Sequence, residues 1–384
     1  RWGIQYNKDT KDGFFITRNF DPKYFGSKKN IRLNLQKEFF LQRALNGKTE
    51  SFSAKNESIL APKSKRDVKV LDYFGLNGNL RTKIKNFNFN SVFSLNSLDP
   101  EFFNKSFINK SEITKILYSE DKLNSSKESK LTLFGNYRDK VWNGSLGERE
   151  IISAYGLKIS KSNNWIDSNV IKSSLIAASY GDYKSSDRID ILKIINKKRL
   201  NIYLDRYHSY PIWKVKKSNF INNNNIYSPT EIPSGLNLNS QALIDLYRYS
   251  DHKFQNLFTF KAGPELTLGN FKKNFLDYSK ISIYYKKTLS QGNSPFGFDQ
   301  SGDYNTIEFS IKQQLYGPLT FDLNTEYNLD YKSPKYKEFF NTKYDLTWNR
   351  RAYSIGIYYN YETKAGGLNF KINSFNFEGY GDKF

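Results

Sequence analysis

The sequence predicts an all-β fold, an antiparallel transmembrane β-barrel of about 14–18 strands built as one domain over residues 1–384. Three observations predict it. The chain is rich in aromatic residues yet poor in hydrophobic ones. Segments long enough to cross a bilayer alternate with period two. Connections between them alternate between short and long.

Composition sets the frame. Hydrophobic residues make up 38% of the chain, aromatic residues 17%, with 31 Phe, 28 Tyr and 5 Trp. Such a chain is too polar for a large solid core and too aromatic for the disordered class. Alternating apolar and polar side chains reconcile the two. No apolar run reaches the ~18 residues of a transmembrane helix, which leaves strands as the means of crossing.

Along the N-terminal half, strand-like segments are Trp2–Asn7, Phe14–Phe20, Ile31–Gln42, Val68–Leu80, Ile84–Leu95, Lys130–Val141 and Tyr155–Ile159. Val170–Tyr180, Leu200–Tyr210 and Leu238–Tyr249 follow. Lys105–Ser129 and Lys214–Thr230 read as polar loops, and Ser111–Leu123 is compatible with a short helix. The C-terminal third is clearest. Leu319, Phe321, Leu323, Tyr327 and Leu329 share one parity, and Thr320, Asp322, Asn324, Glu326, Asn328 and Asp330 the other. Two different solvents on the two faces of a strand produce this pattern. Ile307, Phe309 and Ile311 repeat it, as do Phe260–Leu268, Ile281–Lys286, Tyr344–Trp348 and Tyr353–Tyr361. Tyr316-Gly317-Pro318 and Arg350-Arg351 are tight turns, whereas Ser290–Asp303 is a long Gly/Ser/Asn-rich loop. Short turns on one rim and long loops on the other are a barrel's signature. The aromatic clusters Tyr284/Tyr285, Tyr358/Tyr359/Tyr361, Phe339/Phe340 and Phe375/Phe377 suit its interfacial girdles.

Catalytic chemistry is scarce. Cysteine is absent, which excludes disulfides, thiolate zinc sites and cysteine nucleophiles, and only His208 and His252 are histidines. No phosphate loop, dinucleotide fingerprint or zinc-ligand spacing occurs. Asp205-Arg206-Tyr207-His208-Ser209 holds an acid, a base and a hydroxyl, but on a strand Asp205 and His208 face opposite ways. His208 therefore reads as a polar lumen or rim residue. Glu148 and Glu150 fall in a loop-like stretch and carry no specific signal. The expectation is a protein that is not an enzyme and uses no cofactor or metal.

Lys and Arg number 59 against 38 Asp and Glu, a net charge of +21. This favours polyanionic partners such as anionic lipid headgroups or lipopolysaccharide, or simply a solvated lysine-rich surface. No RNA-binding signature accompanies the basic residues, so nucleic acid is not the expected partner. The chain opens on Arg1 and contains no methionine, so a signal peptide or N-terminal domain is expected to precede it.

Three stretches carry a family resemblance. The first is Asp12-Gly13-Phe14-Phe15-Ile16 with Glu38–Leu45. The second is Tyr137-Arg138 with Trp142-Asn143-Gly144-Ser145-Leu146-Gly147-Glu148. The third is the closing hairpin, Tyr353–Tyr361 with Leu368–Phe377. Together they resemble the cyanobacterial branch of the lipopolysaccharide-assembly outer-membrane proteins (LptD, or organic solvent tolerance protein). The resemblance implies a barrel in the outer membrane of a Gram-negative-type cell. It receives lipopolysaccharide from a periplasmic bridge, holds a plug lipoprotein, and is inserted by the barrel-assembly machinery. Sugars pass through the lumen and acyl chains leave through a seam between first and last strands. Here the seam would join Trp2, Ile4, Tyr6, Phe14 and Ile16 to Leu368, Phe370 and Ile372. Phe375 and Phe377 would supply the C-terminal assembly signal, and Tyr137, Arg138, Asn143, Gly144 and Gly147 form the motif loop. Proteobacterial members tie the barrel to a periplasmic domain through cysteines, which this chain lacks. The alternatives are a general porin and an outer-membrane lipid hydrolase using His208.

Overall fold

The computed structural model describes residues 2–7, 13–19, 23–25, 31–40, 75–95 and 107–372, the last with gaps at 168, 189, 191, 216–233, 270–273, 301, 351–352 and 363–364. For residues 2–40 the description is of backbone pairing alone. The strands are β1 (Trp2–Asn7), β2 (Gly13–Asn19), β3 (Lys23–Phe25), β4 (Ile31–Phe40), β5 (Gly75–Ile84) and β6 (Phe87–Leu95). Then come β7 (Phe107–Lys122), β8 (Ser125–Trp142), β9 (Glu148–Asp167), β10 (Val170–Ser186), β11 (Ile194–Lys214), β12 (Gly235–Tyr249) and β13 (Phe254–Gly269). The last are β14 (Tyr278–Gly292), β15 (Asn305–Tyr316), β16 (Leu319–Asn328), β17 (Phe339–Asn349), β18 (Tyr353–Asn360) and β19 (Ala365–Ile372). All nineteen lie in one antiparallel sheet. That exceeds the expected count, partly because β2 and β3 pair with successive halves of β4. β1 pairs with β2 and also with β19.

The two faces of the sheet differ in chemistry. Cross-strand register aligns Leu157 with Tyr180 and Leu200, and Ile159 with Ala178 and Ile202. The row continues through Ile244 and Phe258, Ala242 and Phe260, Ile281 and Ile311, and Ile283 and Phe309. Ile159, Tyr180, Phe258, Phe260 and Ile283 are all exposed. The result is an exposed apolar belt, where an ordinary soluble protein hides such residues. On β11 the belt is bounded by Lys198 and Arg206. The opposite, inner face is polar. Among the described residues, fifteen buried side chains are polar or charged and ten hydrophobic. Ser185, Asn239, Gln255, Ser282, Thr306, Gln314, Thr320 and Asn328 are among the polar ones.

Because the pairing is sequential, alternate connections lie on opposite rims. The first rim holds the start of β1, the end of β19 and the turns Lys85–Asn86, Leu123–Asn124 and Gly317–Pro318, together with the longer connection 215–234. The second rim holds the connections 143–147, 187–193, 250–253, 293–304 and 329–338. Strand lengths are uneven. β15 to β19 have eight to twelve residues, close to a bilayer crossing, whereas β9 has 20 and β11 has 21. At ~3.3 Å per residue β9 is roughly 65 Å long.

Several sequence readings need correction. Ser111–Leu123 is no helix, and Lys105–Ser129 is mostly not a loop, because β7 and β8 run through them as a hairpin. There both faces carry polar side chains, as Glu120, Asp121, Lys122, Lys127 and Glu128 do, so no alternation marks the strands. Glu148 and Glu150 open β9 rather than sit in a loop. Residues 68–74, most of Lys214–Thr230, and Phe375 and Phe377 lie outside the described residues.

Candidate functional site

The inner face of β13 to β17 is a ladder of paired charges. Cross-strand register puts five lysines there, Lys261, Lys280, Lys286, Lys312 and Lys343, with five carboxylates, Glu265, Glu308, Asp322, Glu326 and Asp345. Glu308 pairs with Lys261 and, at 3.2 Å, with Lys286, which also reaches Glu326 at 3.3 Å. Lys280 pairs with Glu265 at 3.1 Å and Lys312 with Asp322 at 3.3 Å. The Tyr284 hydroxyl donates to Glu265 at 3.2 Å and accepts from Asn239 at 2.8 Å, while Asn341 donates to Glu326 at 2.8 Å. Of these, Lys261, Tyr284, Glu308, Glu326 and Asn341 line a cavity of ≈ 550 Å³ with Asn324, Lys343 and Asn360. This wall is therefore charge-balanced rather than basic, so the chain's excess positive charge lies elsewhere.

The second feature is the connection after β14. It folds against the inner face at the second rim. Phe296 is fully buried, and Ser294, Phe298 and Asp303 are nearly so. Phe296 and Phe298 pack on Tyr183 and Tyr249, with ring centroids 5.1–6.3 Å apart, and on Ile151 and Ala154. Arg199 stands in this aromatic nest. Its guanidinium lies 4.9 Å from the Tyr183 ring, 4.6 Å from Tyr247 and 5.4 Å from Phe298, and it pairs with Asp299 at 2.8 Å. The Tyr249 hydroxyl donates to the other Asp299 oxygen at 3.0 Å. A buried cation needs such partners, and its planar fork suits both ring faces and a carboxylate. Nearby, desolvation works against ionisation of Asp251, but the hydrogen bond and charge of Lys197, backed by Lys253, hold its carboxyl below the ordinary range.

The sequence-predicted residues fall in three places. In the motif loop, Asn143 and Gly144 touch the in-folded segment. Asn143 Nδ2 donates to the carbonyls of Gly297 (3.3 Å) and Phe298 (2.9 Å). Gly144, at φ +59°, lets the Ser145 amide and hydroxyl reach the Asp303 carboxylate at 2.7 and 2.5 Å. Arg138 has φ +55° and grips Glu150 with two nitrogens, at 2.7 and 3.2 Å. The register of β9 against β10 shifts near there, between Lys184 and Ser185, and Val141 and Ile151 join the inner cluster. The Tyr137 ring lies 6.2 Å from Phe107. At the proposed seam, Trp2 pairs with Phe370, Ile4 with Leu368 and Tyr6 with Gly366, while Ile4 and Tyr6 also face Ile16 and Phe14. Ile372 pairs with Tyr353 instead.

Of the two readings of His208, lumen or rim, the lumen one falls. His208 lies on the outer face with Arg206 and Tyr210, both within hydrogen-bond distance, whereas Asp205 faces inward to Tyr203 and Gln241. Sequence reasoning missed Arg199, Tyr183, Tyr249, Phe296, Phe298, Asp299 and Asp303. The available signal was two phenylalanines inside an otherwise Gly/Ser/Asp-rich loop. Among the described residues no group of three or more His, Asp or Glu is arranged to hold a metal ion, and no helix is long and apolar enough to cross a membrane.

Fold and site together define a large antiparallel β protein with an exposed apolar face, a polar inner face and one inward-folded connection. A family model described as "Protein of unknown function (DUF3769)" matches residues 1–376, and the chain belongs to that family. No curated protein matches it.

Proposed function

We propose that the sheet closes into an outer-membrane β-barrel that delivers an anionic glycolipid of the lipopolysaccharide type to the cell surface. The observation that carries the membrane part is the inverted burial pattern, apolar side chains exposed in a belt and polar ones buried behind them. A belt of this kind on the outside of a sheet with a polar inner face suits a lipid surrounding. Closure is supported by the pairing of β1 with both β2 and β19, which leaves no free edge there. The two-residue turns Lys85–Asn86, Leu123–Asn124 and Gly317–Pro318 and both ends of the paired chain lie at the first rim, and we read that rim as the periplasmic one.

The glycolipid part rests on the three resembling stretches and on the seam. β1 joins β19 by six residue pairs, against sixteen between β10 and β11. Few hydrogen bonds need to part for acyl chains to leave sideways. On this reading the protein is a conduit, not a catalyst, fed by a periplasmic bridge and inserted by the barrel-assembly machinery. An open porin fits less well because a folded segment lies at the second rim, and a hydrolase because His208 and Asp205 are on opposite faces.

The test joins β1 to β19. In an Ile4→Cys/Leu368→Cys variant, oxidation should halt the appearance of surface lipopolysaccharide and raise detergent sensitivity, and reduction should reverse both. Normal export through a crosslinked seam would refute the transport reading. A wild-type protein that fails to fractionate with outer membranes, or migrates identically in gels with and without heating, would refute the barrel.

A further inference from the structure

We infer that residues 294–300, tied down beyond them at Asp303, form a latched gate across the second rim, held shut at Arg199; this rests on the barrel reading above. The segment leaves β14, holds Gln255 of neighbouring β13 through the Ser294 amide, and also reaches strands far from β14. The Gly297 amide donates to the Ser186 carbonyl at 3.1 Å, the Arg188 amide to Pro295 at 2.8 Å, and Phe296 forms a β-bridge with Asp187. Asn143, in the β8–β9 connection, holds the Gly297 and Phe298 carbonyls. β8 and β14 are six strand positions apart, roughly 29 Å along the wall at ~4.8 Å per strand. Contacts at both ends of that arc, with Phe296 fully buried between them, carry the segment across the opening instead of above it.

Its ends are built as hinges and its middle as a catch. Gly292 and Asp303 both have positive φ, +78° and +55°. The Asp303 carboxylate is fixed by Ser145, by Asn328 at 2.5 Å and by Ser333 at 2.8 Å, so this end is anchored to the wall. The catch is Arg199. Tyr183 and Tyr247 belong to the wall, Phe298 and Asp299 to the segment, so lifting the segment strips the guanidinium of its paired carboxylate and one of its rings. Removing one partner of a buried pair is far more costly than the pair is favourable. The gate is therefore closed at rest and two-state in character, not a loosely waving loop.

The experiment compares single-channel conductance in planar bilayers, and entry of a large antibiotic into cells, for wild type, Arg199→Ala, and both backgrounds carrying Ser186→Cys/Gly297→Cys. A Cβ on Gly297 would lie 3.1 Å from the Ser186 hydroxyl, within disulfide reach, and the chain has no other cysteine. Arg199→Ala should raise conductance and antibiotic entry several-fold. The crosslink should return both to the wild-type level, and reductant should release them again. An Arg199→Ala protein that inserts normally but conducts like wild type would overturn the gate and leave the barrel intact. So would a crosslinked Arg199→Ala protein that still conducts. Should Arg199→Ala fail to insert, Asp299→Asn removes the same pair from the segment side: it should raise conductance several-fold, and conductance at the wild-type level overturns the gate. If wild type itself does not insert, both readings fall.

Discussion

Gly144→Ala and Gly147→Ala form a matched pair that tests how the motif loop holds the in-folded segment. Both glycines have positive φ, +59° and +76°; an alanine costs ~1–2 kcal/mol in the left-handed region at Gly144 and ~1–3 kcal/mol at Gly147, whose ψ of −165° lies where essentially only glycine goes. The difference is steric. A Cβ on Gly147 meets nothing within 4 Å, whereas one on Gly144 would lie 2.3 Å from an Asp303 carboxylate oxygen. The carboxylate must then shift, and it accepts four hydrogen bonds, two from Ser145 and one each from Asn328 and Ser333. Losing one bond to a charged acceptor costs ~1.5–3 kcal/mol, so Gly144→Ala should cost ~3–5 kcal/mol in all. Hydrogen exchange of the amides between residues 293 and 304 reads this directly. Exchange in Gly144→Ala should be roughly tenfold to a hundredfold faster than in Gly147→Ala, since 1.4 kcal/mol is a factor of ~10. Equal exchange in the two variants would mean that Asp303 is not what seats the segment.

Two further outcomes follow from the inner wall. Lys286 bridges Glu308 and Glu326, so Lys286→Met leaves two facing carboxylates without their shared cation and should cost ~1–3 kcal/mol. The midpoint of heat-dependent gel migration should fall clearly below that of a Lys335→Met control on the exposed Glu338 pair, and identical midpoints would refute the bridge. Asp251 titrates below its ordinary range, so its contribution is present above ~3.9 and lost as pH falls through the depressed folded value. Asp251→Asn should therefore lose under ~1 kcal/mol at neutral pH and nothing at strongly acid pH; a deficit that persists in acid would exclude the Lys197 pairing as its source.

The parts of the fold legible in the sequence are those where the two faces meet different surroundings. Leu319–Asn328 and Asn305–Tyr316 alternate because one face carries the apolar belt and the other the charge ladder. The first-rim ends of β7 and β8 were illegible for the same physical reason. Glu120, Lys122, Lys127 and Glu128 are polar on both faces, and a strand with one environment on both sides looks like a loop. The latch was hidden differently. Arg199 and Asp299 are far apart in sequence, and nothing near either predicts the other. Only the return of the β14–β15 connection onto β10 and β11 brings them together. Asn143 and Gly144 were visible as a motif, but the carbonyls and the carboxylate they serve were not.

The distribution of pairing along the sheet gives these local features a common logic. β10 pairs with β9 and with β11 over sixteen residues each, while β1 pairs with β2 and with β19 over six. Each ladder bond adds ~0.5–1.5 kcal/mol, so the sheet is much easier to part at β1 than at β10. On the barrel reading these two regions lie across the lumen from each other. The latch contacts at Asn143, Ser186, Arg199 and Tyr249 fall on the strongly paired side, while Asn328 and Ser333 hold the segment's other end at the end of β16. A seam that opens sideways moves the strands beside it, and a latch built on those strands would slip whenever the seam parted. On the proposed reading, setting the Arg199 latch on β11 keeps it away from the β1–β19 pairing, so gate and seam would act separately. The charge-balanced wall of β13 to β17 fits the same division, because it offers passing polar groups no single deep electrostatic trap between the latch and the seam.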